Sequence, residues 1–346
     1  MDADFEKPIP RRRRGAVMSD VGRLAGVSHQ TVSRVINGSS HVRPETRERV
    51  LAAMRELDYR PNPVARALVT GRSNTLGVVT FDTTLYGPAS TLCGIERAAH
   101  ETGYFIIVAS LKALDRSSLV DAIDRLQLHG VDGILVIAPY QEAADALADA
   151  PQRIPIVAVE AGPPDAVPLV SVDQVAGAMS ATRHLLDLGH ETVWHVAGPR
   201  DFLEARQRLD GWRSTLESAG AEVPVPLEGD WSARAGYDLG RRLSRDRAVT
   251  AVFVANDQMA LGALRAMHEA GRAIPDEVSI VGFDDIPEAP YFTPPLTTIR
   301  QDFDDMGSRG VRLLLRTIEG REPAAPGSKV QPDLIVRAST TVSPRG

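Results

Sequence analysis

The sequence predicts an α/β protein in which a small helix-turn-helix headpiece precedes a larger, two-lobed body built on Rossmann-like parallel sheets. Three observations carry this. Helical periodicity comes in three short pieces before residue 60, joined by a glycine turn. After residue 73, apolar strand-like runs alternate with amphipathic helical patterns, as in βαβ units whose parallel sheets are covered on both faces. Charge is also split: residues 1–72 carry 14 Lys/Arg against 8 Asp/Glu, and residues 73–346 carry 25 against 37, although the whole chain sums only to −6. A basic head on an acidic body suits a head that meets a polyanion and a body that does not.

Composition narrows the classes. With 346 residues, 43% hydrophobic and 24% charged, a large core can form and global disorder is not expected. A single cysteine, Cys93, rules out a disulfide framework or a cysteine-based zinc site and suits a reducing cytosol. No apolar run approaches the roughly 18 residues of a membrane span. The acidic N-terminus leads into Arg11–Arg14 without the apolar segment of a signal peptide, so a cytoplasmic location is expected. Residues 1–16 read as a disordered arm, whose arginines suit phosphate contacts and a solvated tail equally well.

In the headpiece, residues 17–60, Ser19 is placed to cap a first helix through Ala25, with Val21, Leu24 and Ala25 on its apolar side. Gly26-Val27-Ser28 makes the turn, and Ser28 caps a second helix that runs to Ile36 and stops at Asn37-Gly38. Pro44 opens a third helix, which buries Val50, Leu51, Met54 and Leu57 and ends near Asp58. In the linker, residues 61–72, Asn62 can cap and Pro63 can open a short helix through Leu68, too short to persist without a partner. In the body, residues 73–346, strands are expected at Leu76–Thr80, Phe105–Ala109, Ile134–Ile137, Ile156–Val159, Val193–Ala197, Ala251–Ala255 and Ser279–Phe283. Leu119–Leu128, Ala176–Leu188 and Gln258–Ala270 are among the helices between them. Ligands in such sheets bind beyond the carboxyl ends of strands. Polar residues gather at five of those ends: Phe81-Asp82, Glu160, Gly198, Asn256-Asp257 and Asp284-Asp285.

The second helix places His29, Gln30 and Arg34 outward and Val32, Val35 and Ile36 inward. Gln pairs bidentately with adenine and Arg with guanine, which suits base edges in a major groove. Thr31, Ser33, Asn37, His41 and Thr46 are short donors of the kind that anchor phosphates. A solvated polar face is the plainer alternative, disfavoured by the turn and spacing. There is no G-x-S-x-G, H-E-x-x-H or glycine-rich phosphate loop. His184, His190 and His195 are spaced six and five apart and share no helical face, so no catalytic residue, metal or cofactor is expected. Asp284 and Asp285, being adjacent, should point apart and serve binding or loop capping. Trp231, in a polar stretch before a helix, suits either the apolar face of a sugar ring or a place in the core.

These motifs resemble the LacI/GalR family of bacterial regulators from about Met18 to Thr341. The resemblance rests on Ala25-Gly26-Val27-Ser28, Thr31-Val32-Ser33-Arg34-Val35-Ile36-Asn37, Tyr59-Arg60-Pro61-Asn62 and the run Val254-Ala255-Asn256-Asp257-Gln258-Met259. Within the family, Ser40-His41-Val42, Asp230-Trp231-Ser232-Ala233 and Pro294-Pro295-Leu296-Thr297-Thr298-Ile299 are most similar to the type member. The resemblance implies a DNA-binding headpiece, a hinge helix and a periplasmic-binding-protein-like body crossed three times by the chain. The N-lobe would span about 73–172 plus 303–330, and the C-lobe about 173–302 plus 331–342. It also implies a homodimer on a near-palindromic double-stranded operator.

Under that resemblance His29, Gln30 and Arg34 match base-reading positions, with His29 replacing a tyrosine. Ser28, Thr31, Ser33, Asn37, His41, Thr46, Tyr59 and Asn62 would contact phosphate, and Ala65 and Leu68 the minor groove. Arg208, Trp231, Asn256, Asp284 and Phe303 match effector-pocket positions, and Glu160 stands where the type member has aspartate. Phe81 and Ile137 replace smaller or more polar pocket residues, which favours a ligand with more apolar surface at one end. The leucine-rich tetramerisation tail has no counterpart after Arg337, so a dimer is expected. The implied function is a sugar-responsive transcriptional repressor of carbohydrate-utilisation genes, not an enzyme, released from its operator by a galactoside or other disaccharide. Arg208, Asn256 and Asp284 would bond ring hydroxyls and Trp231 would cover the ring. The alternatives are a regulator whose purine-like ligand strengthens DNA binding and, more distantly, a free carbohydrate-binding protein.

Overall fold

A computed structural model describes residues 16–36, 41–60, 71–111, 116–137, 147, 153–160, 167–321 and 328–344. The expected hinge helix, with Asn62, Ala65 and Leu68, lies outside the described residues, as do Asn37 and Arg11–Arg14. The chain divides into two units, Met1–Ser73 and Asn74–Gly346.

In the first unit, helices α1 (Met18–Ala25), α2 (His29–Ile36) and α3 (Pro44–Glu56) close on one apolar cluster. Val21, Ala25, Val32, Val35, Val50 and Ala53 form it, flanked by Met54, Leu57 and Tyr59. Gly26 ends α1 in the left-handed conformation, φ +66°, which glycine adopts at least cost. The Ser28 hydroxyl oxygen accepts the Thr31 N–H at 3.2 Å and so caps α2. Two details differ from the sequence reading. The helix α1 begins two residues earlier, with Val17 and not Ser19 at its cap position, and the Asp20 carboxylate takes the Val17 N–H at 3.1 Å. Leu24 and Leu51 are 46% and 43% exposed. From Val50 the helical period runs through Ala53, Met54 and Leu57, so Leu51 falls off the inner stripe and the small Ala53 takes its place.

The second unit contains two six-stranded sheets. The first has the order β11-β5-β4-β3-β1-β2, all parallel. Its strands are β1 (Thr75–Phe81), β2 (Phe105–Leu111), β3 (Gly133–Ile137), β4 (Ile156–Val159), β5 (Leu169–Val172) and β11 (Ser328–Val330). The second has the order β12-β10-β9-β8-β6-β7, parallel except where β12 runs against β10. Its strands are β6 (Trp194–Ala197), β7 (Leu227–Glu228), β8 (Ala251–Val254), β9 (Ser279–Asp284), β10 (Thr297–Arg300) and β12 (Asp333–Ile335). The central strands are buried from end to end, as the continuous Val/Ile/Leu runs require when helices cover both faces.

Helices α4 (Tyr86–Glu101), α5 (Arg116–Leu128) and α10 (Phe303–Ile318) belong with the first sheet. Helices α6 (Gln174–Asp187), α7 (Leu203–Ser218), α8 (Ala233–Leu243) and α9 (Asp257–Glu269) belong with the second. The chain therefore changes lobe three times: between β5 and α6, between β10 and α10, and between β11 and β12. Helices α8 and α9 touch backbone to backbone, because a Cβ at Gly236 would strike the Met259 carbonyl and one at Gly262 that of Ala233. This close approach brings the first turns of the two helices together. Among the described residues no helix is long and apolar enough to cross a membrane.

The three histidines have separate duties. His190 bonds Thr250 and Ser279 at 3.0 and 3.1 Å, and His184 bonds Thr340 at 3.0 Å. His195 lies between Phe253 and Trp212, ring centroids 4.7 and 5.2 Å away, and its Nδ1–H donates to the Phe253 carbonyl. Burial pushes the His195 imidazole down to about 4. Among the described residues no group of three or more His, Cys, Asp or Glu could hold a metal.

Candidate functional site

A cavity of about 330 Å³ opens between the two lobes of the second unit. From the first lobe, Thr84, Leu85, Tyr86, Gly87 and Pro88 line it, between β1 and the first turn of α4. From the second lobe come residues following four strands in turn: Phe202, Glu204 and Arg208 after β6; Asp230, Trp231, Ser232 and Ala233 after β7; Asn256 and Gln258 after β8; Asp284 at the end of β9. All lie on the side of the sheets where the strands' carboxyl ends are, the place where ligands bind in such folds. A pocket of this size and mixed lining suits a small ligand.

Arg208 anchors the floor. It is only 2% exposed, and its guanidinium stacks on Phe283 at 3.8 Å and stands 5.6 Å from the Trp231 ring. Its Nε–H donates to Gln174 at 2.9 Å, Nη1 donates to the Ala255 carbonyl, and Nη2 reaches Glu204 at 3.3 Å and Asp284 at 3.6 Å. Gln174 donates in turn to Gln301 at 2.8 Å, and Gln301 to Asp284 at 2.7 Å. The result is a closed ring, Arg208–Gln174–Gln301–Asp284, whose two glutamines sit at the first and second lobe crossings.

Asn256 caps α9, its carbonyl oxygen taking the Met259 N–H at 2.9 Å, and its amide donates to the Trp231 carbonyl at 3.0 Å and to Gln258. Trp231 is 8% exposed with φ +72°. Its benzo edge lies directly on Gly198, where any Cβ would overlap the ring, and Phe202 meets it edge-on at 5.4 Å. The Trp231 Nε1–H has no acceptor.

The electrostatics are unusual for so small a space. Burial pushes the Asp284 carboxyl up to about 7, with Arg208 opposing and Glu204 reinforcing the shift. Burial also raises the Glu204 carboxyl, against the pull of Arg208. Glu160, at the end of β4, is pushed well above the carboxylate range by burial and then by Glu204. Its Oε1 accepts the Thr91 hydroxyl, while Oε2 is buried without a partner. Asp230, near the mouth, is held below its ordinary value by the Ser232 hydroxyl and N–H. Asp285 does turn away from Asp284, bonding Arg300 and Arg337 at 2.6 Å each. Asp257 is also internal, accepting from Thr298 and the Ile286 N–H.

Of the pocket residues expected from the sequence, Arg208, Trp231, Asn256 and Asp284 line the cavity. Glu160, at the end of β4, is not among the residues lining the cavity, and its bond goes to Thr91 on α4. Phe81 is half-buried against the core at the end of β1, and Ile137, 2% exposed, is sealed within the first sheet's core. Phe303 meets Tyr86 edge-on at 5.7 Å and lines a neighbouring groove with Arg97 and Gln301. Glu204, Tyr86, Phe202, Gln258, Gln174 and Gln301 escaped the sequence reading. Only Glu204 left a signal, four residues before Arg208.

In the headpiece, His29, Gln30 and Arg34 stand exposed on one side of α2, opposite the buried Val32 and Val35. Ser28 and His41 are exposed, and Thr31, Ser33, Thr46 and Tyr59 half-buried. The Thr31 hydroxyl bonds that of Ser28 at 3.0 Å, and Tyr59 packs on the apolar cluster.

Comparison with known proteins gives two family matches: bacterial regulatory proteins of the lacI family over residues 17–62, and a periplasmic binding protein-like domain over residues 182–340. The chain is 36% identical to the lactose operon repressor of Escherichia coli, over 94% of this chain and 90% of that protein. It is 34% identical to the transcriptional repressor PurR of Mannheimia succiniciproducens, over 94% and 98%. Among solved structures, a lac repressor dimer bound to operator and the anti-inducer ONPF superposes with a TM-score of 0.84 at 34% identity, covering 95% of this chain and all of that one. A complex of the regulator CelR with cellobiose superposes with a TM-score of 0.69 at 32% identity, covering 94% and 99%.

Proposed function

The chain belongs to the lacI family of bacterial regulatory proteins, and on that premise we propose that it is released from a near-palindromic operator by a sugar bound in the cleft. It is a transcriptional repressor, not an enzyme. In this reading residues 17–60 bind DNA, residues 61–72 form the hinge and residues 73–346 bind effector and dimerise. His29, Gln30 and Arg34 read base edges in the major groove. Ser28, Thr31, Ser33, Asn37, His41, Thr46, Tyr59 and Asn62 serve phosphates, and Ala65 and Leu68 enter the minor groove at the dyad, where a wedge kinks the duplex. A palindrome needs two headpieces about one helical turn apart, which a two-fold dimer supplies.

The observation that carries the sugar reading is the cavity itself: a flat indole seated on Gly198, beside a buried set of carboxylate and amide groups, at the carboxyl ends of strands from both lobes. An aromatic face covers the apolar side of a sugar ring, and carboxylates accept its hydroxyls. Arg208 and Asn256 line the cavity and are engaged within the protein. Their donors already serve Gln174, Ala255, Glu204 and Trp231, so they hold the floor in place and leave the carboxylates to face the ring. A thermal-shift screen of mono- and disaccharides, followed by operator release, tests the reading. A purine that tightens operator binding would replace the inducer with a corepressor.

A further inference from the structure

The cleft has an imbalance of charge and of hydrogen-bonding capacity. Glu160, Glu204 and Asp284 gather around one guanidinium, and that guanidinium is bonded on every nitrogen to the protein. What remains for a ligand is a set of carboxyl oxygens whose ionisation burial opposes and a cation among them would restore. Glu160 Oε2 is buried with no partner, and Glu204 Oε1 and Asp284 Oδ2 have none among the described residues. Glu160 accepts the Thr91 hydroxyl from α4 through its other oxygen, and after burial the Glu204 charge is what most opposes its ionisation. Aromatic groups, Trp231, Phe202 and Tyr86, complete the walls.

A phosphorylated or carboxylated ligand would add negative charge to three acids already held at a cost of desolvation. A neutral sugar supplies donors but no charge. An ammonium supplies three donors and one positive charge, and aromatic faces attract it as well. We propose that the effector is an amino sugar, whose protonated amine sits against Glu204 and Asp284, within the field of Glu160, while Trp231 covers the apolar face of its ring. This rests on the sugar reading above and narrows it to one chemical class.

The test uses the full-length protein at pH 7 and matched ligands: glucosamine and glucose, galactosamine and galactose, mannosamine and mannose, and the glucosamine disaccharide of chitosan beside cellobiose. Thermal shift ranks them and calorimetry gives Kd. At least one amino sugar should bind tenfold or more tightly than its hydroxyl parent, and N-acetylation, which removes the charge, should abolish the gain. Glu204→Gln should weaken the amino sugar about tenfold and its parent less than threefold. Glu160→Gln, at a site outside α7, should act in the same direction. If no amino sugar outranks its parent, or if Glu204→Gln weakens both equally, the proposal is overturned. Should the neutral parents bind regardless, the sugar reading stands without it. Should only guanine or hypoxanthine bind, both fall.

Discussion

Asp284 has its charge opposed by burial and by Glu204, and supported by Arg208 and Gln301. Its folded pKa of about 7 lies above the ordinary 3.8, so between those values the folded chain holds a proton that the unfolded chain has lost. Stability then falls as pH rises through that window. Asp284→Asn, which keeps an oxygen for Gln301, should gain on the order of 2 kcal/mol at pH 8, roughly 4–8 °C in Tm, and almost nothing at pH 4. Equal gains at both pH values would refute the burial account. His195 works in the opposite sense. Its folded pKa of about 4 lies below the ordinary 6.5, so its contribution is complete above pH 6.5 and is lost as pH falls toward 4. His195→Phe should flatten the Tm profile between those values, whatever it does to Tm at pH 8. Asp284 was legible in the sequence because it sits at the end of an apolar strand run, Trp231 because it stands in a polar stretch before a helix, and Arg208 through the family resemblance alone. Glu204 was not, since Glu followed four residues later by Arg ordinarily describes a solvated helix pair. Here the same spacing is folded against Gln174 and Asp284, and the pair is buried.

At the scale of elements, pattern predicted long buried strands and failed on short ones. The continuous runs of β1, β3, β4, β8 and β9 announce themselves, whereas β7 has two residues, β12 has three, and β10 carries buried threonines that read as loop. Thr298, in the middle of β10, is fully buried because it donates to Asp257, a partnership that no local period encodes. The headpiece was read nearly whole, since its cluster depends on neighbouring turns. Its exposed face makes a direct prediction. Arg34→Ala should cost about 1–3 kcal/mol per half-site and relax one base position, whereas loss of a phosphate contact should weaken all sequences alike and reduce the salt slope. Gel shifts on operator variants at several salt concentrations separate the two. The crossings make another. Gln174→Leu leaves the Arg208 Nε–H without its acceptor in a dry site, which costs roughly 1–3 kcal/mol. The loss should appear in urea unfolding, and ligand affinity should fall with it, because Arg208 positions Glu204 and Asp284. Unchanged affinity would separate the glutamine ring from the binding site.

For the whole molecule, the issue is how a ligand between two lobes changes affinity for DNA. Among the described residues the chain passes between the lobes at three crossings, and two of them carry the glutamines that bond Arg208 and Asp284. A ligand that bridges the Thr84–Pro88 segment and the second lobe's acids stabilises the closed arrangement. Operator release requires that it bind that state more tightly than the open one, since equal affinity shifts nothing and a swing from 1:99 to 99:1 needs a preference of about 10⁴. In this reading the Thr84–Pro88 segment, from the other lobe, supplies that preference, and Trp231, fixed in the second lobe by Gly198, Phe202 and Asn256, supplies the platform on which the ring is held. Trp231→Ala should therefore bind operator like the parent, bind sugar roughly tenfold or more weakly, and stay on DNA at concentrations that release the parent. Calorimetry for the sugar and a filter-binding release assay on the same preparation check it. Full release of Trp231→Ala at the parent's sugar concentration would remove the indole from the switch. Tighter operator binding with ligand, in parent and variant alike, would reverse the sign of the coupling and assign the cleft to a corepressor.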